Sequence, residues 1–178
     1  MAGDDAITLR GPGGQPLTIH RARPRLLLIG EGTGIGPTLF IAERVRELAA
    51  PALQSETLAS REPSAPAPWR PLVLLGSTGL PFPFRPRPSV IVIPGIPSGV
   101  IACMPLLEEW GLASRLASTL DLPGCFEGSV ASLAEVWLGS LTAAELAEVE
   151  LFPNGPALMV QEAAELAERY GVGYQASP

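Results

Sequence analysis

The 178 residues are enough for one domain with its own core; 47% are apolar but only 6% aromatic, so Leu, Val, Ile and Ala must supply most of the packing. The net charge is −6, and the 12 basic residues, all arginine, are scattered; no long basic face is left to neutralise a phosphate backbone, and nucleic acid is excluded as the expected partner. No apolar run approaches the roughly 20 residues that span a bilayer, and the opening MAGDDAITLR lacks the basic start and apolar stretch of a secretory signal, so no membrane partner and a soluble, cytoplasmic protein are expected.

In chain order, residues 7–10 and 17–21 read as two short strands joined by the tight turn Gly11-Pro12-Gly13-Gly14, a β-hairpin within an N-terminal unit of residues 1–24. The second unit, residues 25–178, opens on Arg25-Leu26-Leu27-Leu28-Ile29-Gly30, the pattern of a strand buried on both faces. A helical period follows over residues 37–50, with Leu39, Phe40, Val45 and Leu48 on one face and Glu43, Arg44 and Glu47 off it. Residues 51–69, rich in Pro, Ala and Ser, read as a flexible loop. PLVLLG at 71–76 predicts a second buried strand and SVIVIP at 89–94 a third; the four prolines between them forbid regular structure. A helical turn is expected over residues 106–111, a strand over 115–118 and an amphipathic helix over 130–141. Thr142 and Glu145 have capping-box spacing for a short helix. An apolar strand over 149–152, a long helix over 156–170 and an extended tail over 174–177 complete the chain. Strands alternating with helices from Leu26 onward predict an α/β fold with a parallel, doubly wound sheet, whose ligands bind at the carboxyl ends of the strands.

The strongest local signal is Gly30-Glu31-Gly32-Thr33-Gly34-Ile35-Gly36-Pro37, which follows a buried strand and opens a helix. Glycines there let backbone amides approach a diphosphate, the helix N-terminus favours its charge, the Thr33 hydroxyl can bond it, and Pro37 suits the first helical position. A dinucleotide fingerprint G-x-G-x-x-G would need glycine at 35 or 37, and a P-loop would need a lysine; neither is present. A plain tight turn needs fewer glycines than these four.

Other residues invite blander readings. Cys103 and Cys125 have no metal-ligand spacing and read as free buried thiols, and His20 as a surface or sheet-edge residue. Glu108 and Glu109 diverge by about 100° on a helix and read as a solvated edge rather than an acid/base pair. Gly76-Ser77-Thr78-Gly79 is not a nucleophile elbow, so a serine hydrolase is not expected. Arg85 and Arg87 read as exposed arginines or as a grip on a 2′-phosphate, and PFPFRPRP with Trp69 equally as a docking surface anchored by Phe82 and Phe84.

The turn ending in Gly34-Ile35-Gly36-Pro37 resembles the G-x-G-I-x-P turn of the ferredoxin–NAD(P)⁺ reductases. Further stretches are similar to one branch, the dihydroorotate dehydrogenase electron-transfer subunits: PFPF at 81–84 with residues 85–89, ACMPLLEEWG at 102–111, SRLAS at 114–118, PGCFEG at 123–128 and YQAS at 174–177. The resemblance covers roughly residues 7–177. It implies a ferredoxin-reductase-type NAD-binding domain that holds NAD(H) for exchange with a flavin, in partnership with a dihydroorotate dehydrogenase catalytic subunit or similar protein. By position, Gly32, Thr33, Gly34, Ile35, Gly36 and Pro37 would line the diphosphate, Ser77 and Thr78 the adenine ribose, and Asn154, Gly155 and Pro156 the nicotinamide.

The chain departs from that pattern in four ways. Most of the FAD-binding barrel is missing, the hairpin with Gly11-Pro12-Gly13-Gly14 being its remnant; the cysteines of a [2Fe–2S] cluster are missing; Asn154 replaces the cysteine of Cys-Gly-Pro; and Glu31 stands where a small residue is usual. A carboxylate beside a diphosphate repels it by about 1 to 4 kcal/mol if only partly solvated. No turnover by the chain alone is therefore expected, and the alternative expectation is a degenerate, non-catalytic interaction or regulatory module of a pyrimidine-biosynthesis enzyme.

Overall fold

The computed structural model describes residues 17–54 and 69–176, with the backbone alone for residues 50–54. Among these residues eight strands and five α-helices follow in order: β1 (Arg25–Glu31), α1 (Ile35–Gln54), β2 (Arg70–Ser77), β3 (Arg87–Pro88), β4 (Ala102–Cys103), α2 (Pro105–Glu109), β5 (Ala113–Ser118), β6 (Phe126–Glu127), α3 (Val130–Gly139), α4 (Ala143–Ala147), β7 (Val149–Asn154), α5 (Ala157–Tyr170) and β8 (Gly173–Tyr174). Six of the strands form one sheet in the order β6-β5-β2-β1-β7-β8, parallel at every pairing.

The continuous apolar runs end up at the centre of this sheet, as strands covered on both faces must. Alternate residues divide between two cores. Leu27, Ile29, Leu72, Leu74 and Leu151 pack under α3 and α5. Leu26, Leu28, Val73, Leu75, Leu116 and Phe152 pack under α1 and α2. The chain leaves β1 towards β2 and returns to the other side of β1 as β7, so strand order reverses between β1 and β7. Crossovers diverge there, and the crevice at the carboxyl ends of those two strands is the place such sheets offer a ligand.

Several expectations change. Residues 7–10 lie outside the described residues, and residues 17–21 form no strand. The main chain of Thr18 bonds instead to a side chain, its N–H donating to Gln175 Oε1 (2.9 Å) and its carbonyl accepting from Gln175 Nε2. Helix α1 starts two residues before Pro37 and runs to Gln54, past the expected loop boundary. Its buried positions are Ile35, Thr38, Ala42 and Val45, whereas Phe40 is 69% exposed and Leu48 43%. The tail expected from residue 174 contributes a strand, β8, beside β7.

SVIVIP is not a strand. Only Arg87–Pro88 pairs, antiparallel with Ala102–Cys103. Side chains satisfy the next residues: Val90 N–H donates to Glu108 Oε1 (2.8 Å), Ile91 N–H to Ser89 Oγ (3.0 Å), and Arg115 Nη2 donates to Ile91 O. Glu108 is thus bonded to a loop rather than standing free at an edge. Phe82 is buried and Phe84 half-buried, their rings 5.2 Å apart in the α1–α2 core, which removes them as exposed docking anchors. His20 is a half-exposed partner of Glu150, and Cys103 and Cys125 are free thiols, the first buried and the second half-buried. Arg85 and Arg87 are exposed. Among the described residues no helix is long and apolar enough to cross a membrane.

Candidate functional site

Strand β1 ends in Gly30 and Glu31, a 3₁₀ turn of Gly32–Gly34 follows, and α1 begins at Ile35. Pro37 therefore sits in the first helical turn, where backbone N–H groups have no acceptor within the helix and a missing one costs nothing. The parallel register sets Gly30 beside Asn154 of β7 and Glu31 beside Gly76 of β2. All three strand ends converge on one edge of the sheet.

The four glycines of the turn have different jobs. A Cβ on Gly30 would lie 2.7 Å from Thr38 Oγ1, and one on Gly34 only 1.9 Å from the backbone oxygen of Asn154. Both are required by close packing. Gly32 has φ of +56°, which glycine adopts without strain. Gly36 is exposed, has no positive φ, and a Cβ there would meet nothing within 4 Å. The fold supplies no reason for glycine at that position.

Around the turn, the expected residues meet. Asn154 is buried; its Nδ2 lies 3.3 Å from Thr38 Oγ1 and 3.4 Å from Phe152 O, so its amide faces the α1 side. Thr38, fully buried, donates its hydroxyl to Gly34 O (2.8 Å) and ties the turn to α1. A Cβ on Gly155 would lie 3.0 Å from Glu31 O, so glycine lets the chain leave β7 against the end of β1. Pro156 is the N-cap residue of α5. Ser77 Oγ donates to Leu80 O and shapes the turn after β2. Thr78 Oγ1 donates to Glu31 Oε1. The turn Gly32–Pro37 and Asn154–Gly155 are thus in direct contact, and Ser77–Thr78 join them through Glu31.

Two features of the site carry no motif in the sequence: Thr38, whose signal is a hydroxyl in the first turn of a helix, and a cavity of about 350 Å³ on the α1 side. Leu17, Ile19, Pro37, Phe40, Arg44 and Asn154 are among its lining residues. That size, mainly apolar walls and a few polar groups suit a small ring system. It borders the turn at Pro37 and β7 at Asn154.

The remaining cofactor expectations differ in fit. Two cysteines are too few for the four thiolates of a [2Fe–2S] cluster, and among the described residues no group of three or more His, Cys, Asp or Glu is placed to hold a metal. The described residues include no β-barrel for a flavin. A diphosphate does fit: the turn exposes Gly32, Thr33, Gly36 and Pro37 at the start of a 20-residue helix. No protein-family model, curated protein or solved structure matches this chain.

Proposed function

We propose that the chain is the NAD(H)-binding module of an electron-transfer oxidoreductase, of the ferredoxin-reductase type and similar to dihydroorotate dehydrogenase electron-transfer subunits. One observation carries the reading. Gly36 stands in ordinary helical backbone with open space where its side chain would be, at the sheet's switch point. Glycine in that setting lowers helix stability by up to about 1 kcal/mol relative to alanine. Close approach of a diphosphate to the first helical turn gives that cost a use.

In this arrangement the diphosphate lies over Gly32, Thr33, Gly34, Ile35, Gly36 and Pro37. The adenosine half runs over β2 towards Ser77 and Thr78, and the nicotinamide half over β7 towards Asn154, Gly155 and Pro156. The ring then borders the cavity beside Pro37 and Asn154. The protein's part is to bind and orient; a flavin, held by a partner domain or subunit, supplies the redox chemistry. A dihydroorotate dehydrogenase catalytic subunit is the partner class that the resemblance suggests.

Titrating the purified chain with NADH, read by the rise in nicotinamide fluorescence or by calorimetry, tests this. Saturable one-to-one binding is the expected result; no saturable binding of NADH or NADPH overturns it. A specific observation favours the second reading, a non-catalytic interaction module. Asn154 places an amide bonded to Thr38 where the family has a thiol, and a null titration would leave that reading standing.

A further inference from the structure

We infer that Glu31, held by Thr78, accepts the ribose hydroxyls of the adenosine half and makes the chain select NAD(H) over NADP(H). The inference rests on the nucleotide reading above and assigns a role to the residue that most opposes it in the sequence.

A carboxylate next to a glycine-rich turn threatens a diphosphate only if it points at the turn's amides. Side chains alternate along β1, and Glu31 follows Leu27 and Ile29 on the α3–α5 side of the sheet. Its position there is direct: a Cβ on Gly76 would lie 2.7 Å from Val130 Cβ, at the start of α3, and 3.5 Å from Glu31 Cγ. Helix α1 and its N-terminal turn cover the opposite side. The carboxylate reaches across to β2, where Thr78 Oγ1 donates to its Oε1.

Glu31 is only 8% exposed, yet its second oxygen, Oε2, accepts no hydrogen bond among the described residues. Among the described residues the buried side-chain atoms without a partner are Ser114 Oγ and Arg115 Nε, so Oε2, which has no partner there either, is not sealed in the interior. A desolvated carboxylate with one oxygen fixed and the other open is a positioned hydrogen-bond acceptor.

The adenosine ribose is attached directly to the diphosphate. Adjacent strands are about 4.8 Å apart, so a nucleoside leaving the turn over β2 brings its sugar to the gap that Glu31 and Thr78 bridge. A vicinal diol donates to Oε2. A 2′-phosphate in the same place sets negative charge against a poorly solvated carboxylate, and among the described residues no arginine is hydrogen-bonded to Glu31 or Thr78. In dinucleotide-binding sheets an acidic residue about 20 residues beyond the glycine turn accepts the ribose hydroxyl by this chemistry, and here Glu31 would do so from the end of β1.

The test compares NADH and NADPH binding to the wild-type chain, Glu31→Gln, Thr78→Ala and Thr78→Ser, with a thermal melt of each. The wild type is expected to bind NADH at least about tenfold tighter than NADPH. Glu31→Gln keeps the size and an acceptor for Thr78, and should narrow that ratio mainly by strengthening NADPH. Thr78→Ala removes the donor to Glu31 Oε1 and should weaken NADH severalfold with some loss of melting temperature, whereas Thr78→Ser keeps the hydroxyl and should bind NADH as the wild type does. Equal or tighter binding of NADPH by the wild type overturns the assignment to Glu31 while leaving the nucleotide reading intact. An unchanged ratio in Glu31→Gln does the same. If Glu31→Gln fails to fold, the wild-type ratio and Thr78→Ala decide. Failure of the wild type to bind either dinucleotide overturns both the assignment and the reading beneath it.

Discussion

Gly34 and Gly36 stand two residues apart and carry opposite expectations. A methyl group on Gly34 would overlap the Asn154 carbonyl, a backbone atom that no rotamer change can move aside. Gly34→Ala should therefore cost about 1–3 kcal/mol or more, read as a lower denaturation midpoint. Gly36→Ala meets no neighbour and replaces the second-poorest helix former with the best, so it should raise stability by up to about 1 kcal/mol. The same methyl group stands where the diphosphate approaches, and NADH affinity should fall severalfold. Unchanged affinity in the more stable variant would show that nothing approaches this turn. The sequence displays the four alternating glycines but not this division of labour. Which glycine serves packing depends on the Asn154 backbone, brought alongside only by the β1–β7 pairing. Glu31 is similar: its identity is legible, but its neighbours Gly76 and Thr78 come only from the β1–β2 pairing.

Elements whose own residues decide their form were legible. The two-sided apolar runs became β1 and β2, and Thr142 with Glu145 forms the capping box that begins α4. SVIVIP failed because β-branched residues report a preference for extended backbone, not a partner strand. Here Glu108, Ser89 and Arg115 take the place of a neighbouring strand. Burial alone would raise the Glu108 carboxyl, but the Val90 N–H, the Ser89 hydroxyl, the Cys103 thiol and the Arg115 guanidinium outweigh it and hold the group below its ordinary value of 4.5. Because the folded value is depressed, its contribution is complete above the unfolded value and is lost as pH falls through the folded one. Wild-type stability should thus decline more steeply below about pH 4.5 than that of Glu108→Gln, in denaturant melts taken across the acid range. The same surroundings act in reverse on Cys103. Burial first, then the charge of Glu108, pushes its thiol up to about 11, consistent with an inert core cysteine.

At the scale of the molecule, alternating strand and helix signals made the parallel sheet legible, because each buried strand needs a crossover to reach the next. They could not show what holds the two ends of the described chain. Glu150, 3% exposed within β7, is the centre of that arrangement. His20 Nδ1 lies 2.8 Å from its Oε1, and Gln175 Nε2 donates to the same oxygen at 2.8 Å. Gln175 also bonds both the N–H and the carbonyl of Thr18, so one side chain after β8 clamps residues 17–20 onto β7. No local pattern predicts this, since the partners come from opposite ends of the sequence. The clamp matters to the site because Leu17 and Ile19 form one wall of the cavity beside Asn154. Gln175→Ala leaves the Thr18 main chain and a buried carboxylate short of partners, which should cost about 1–3 kcal/mol. Residues 17–20 should then exchange their amide hydrogens faster, while β1 and β2 stay protected. If that wall contacts the nicotinamide, NADH should bind more weakly to the variant while an adenosine diphosphate fragment binds as before. Equal losses for both ligands would place the whole nucleotide away from the clamped segment.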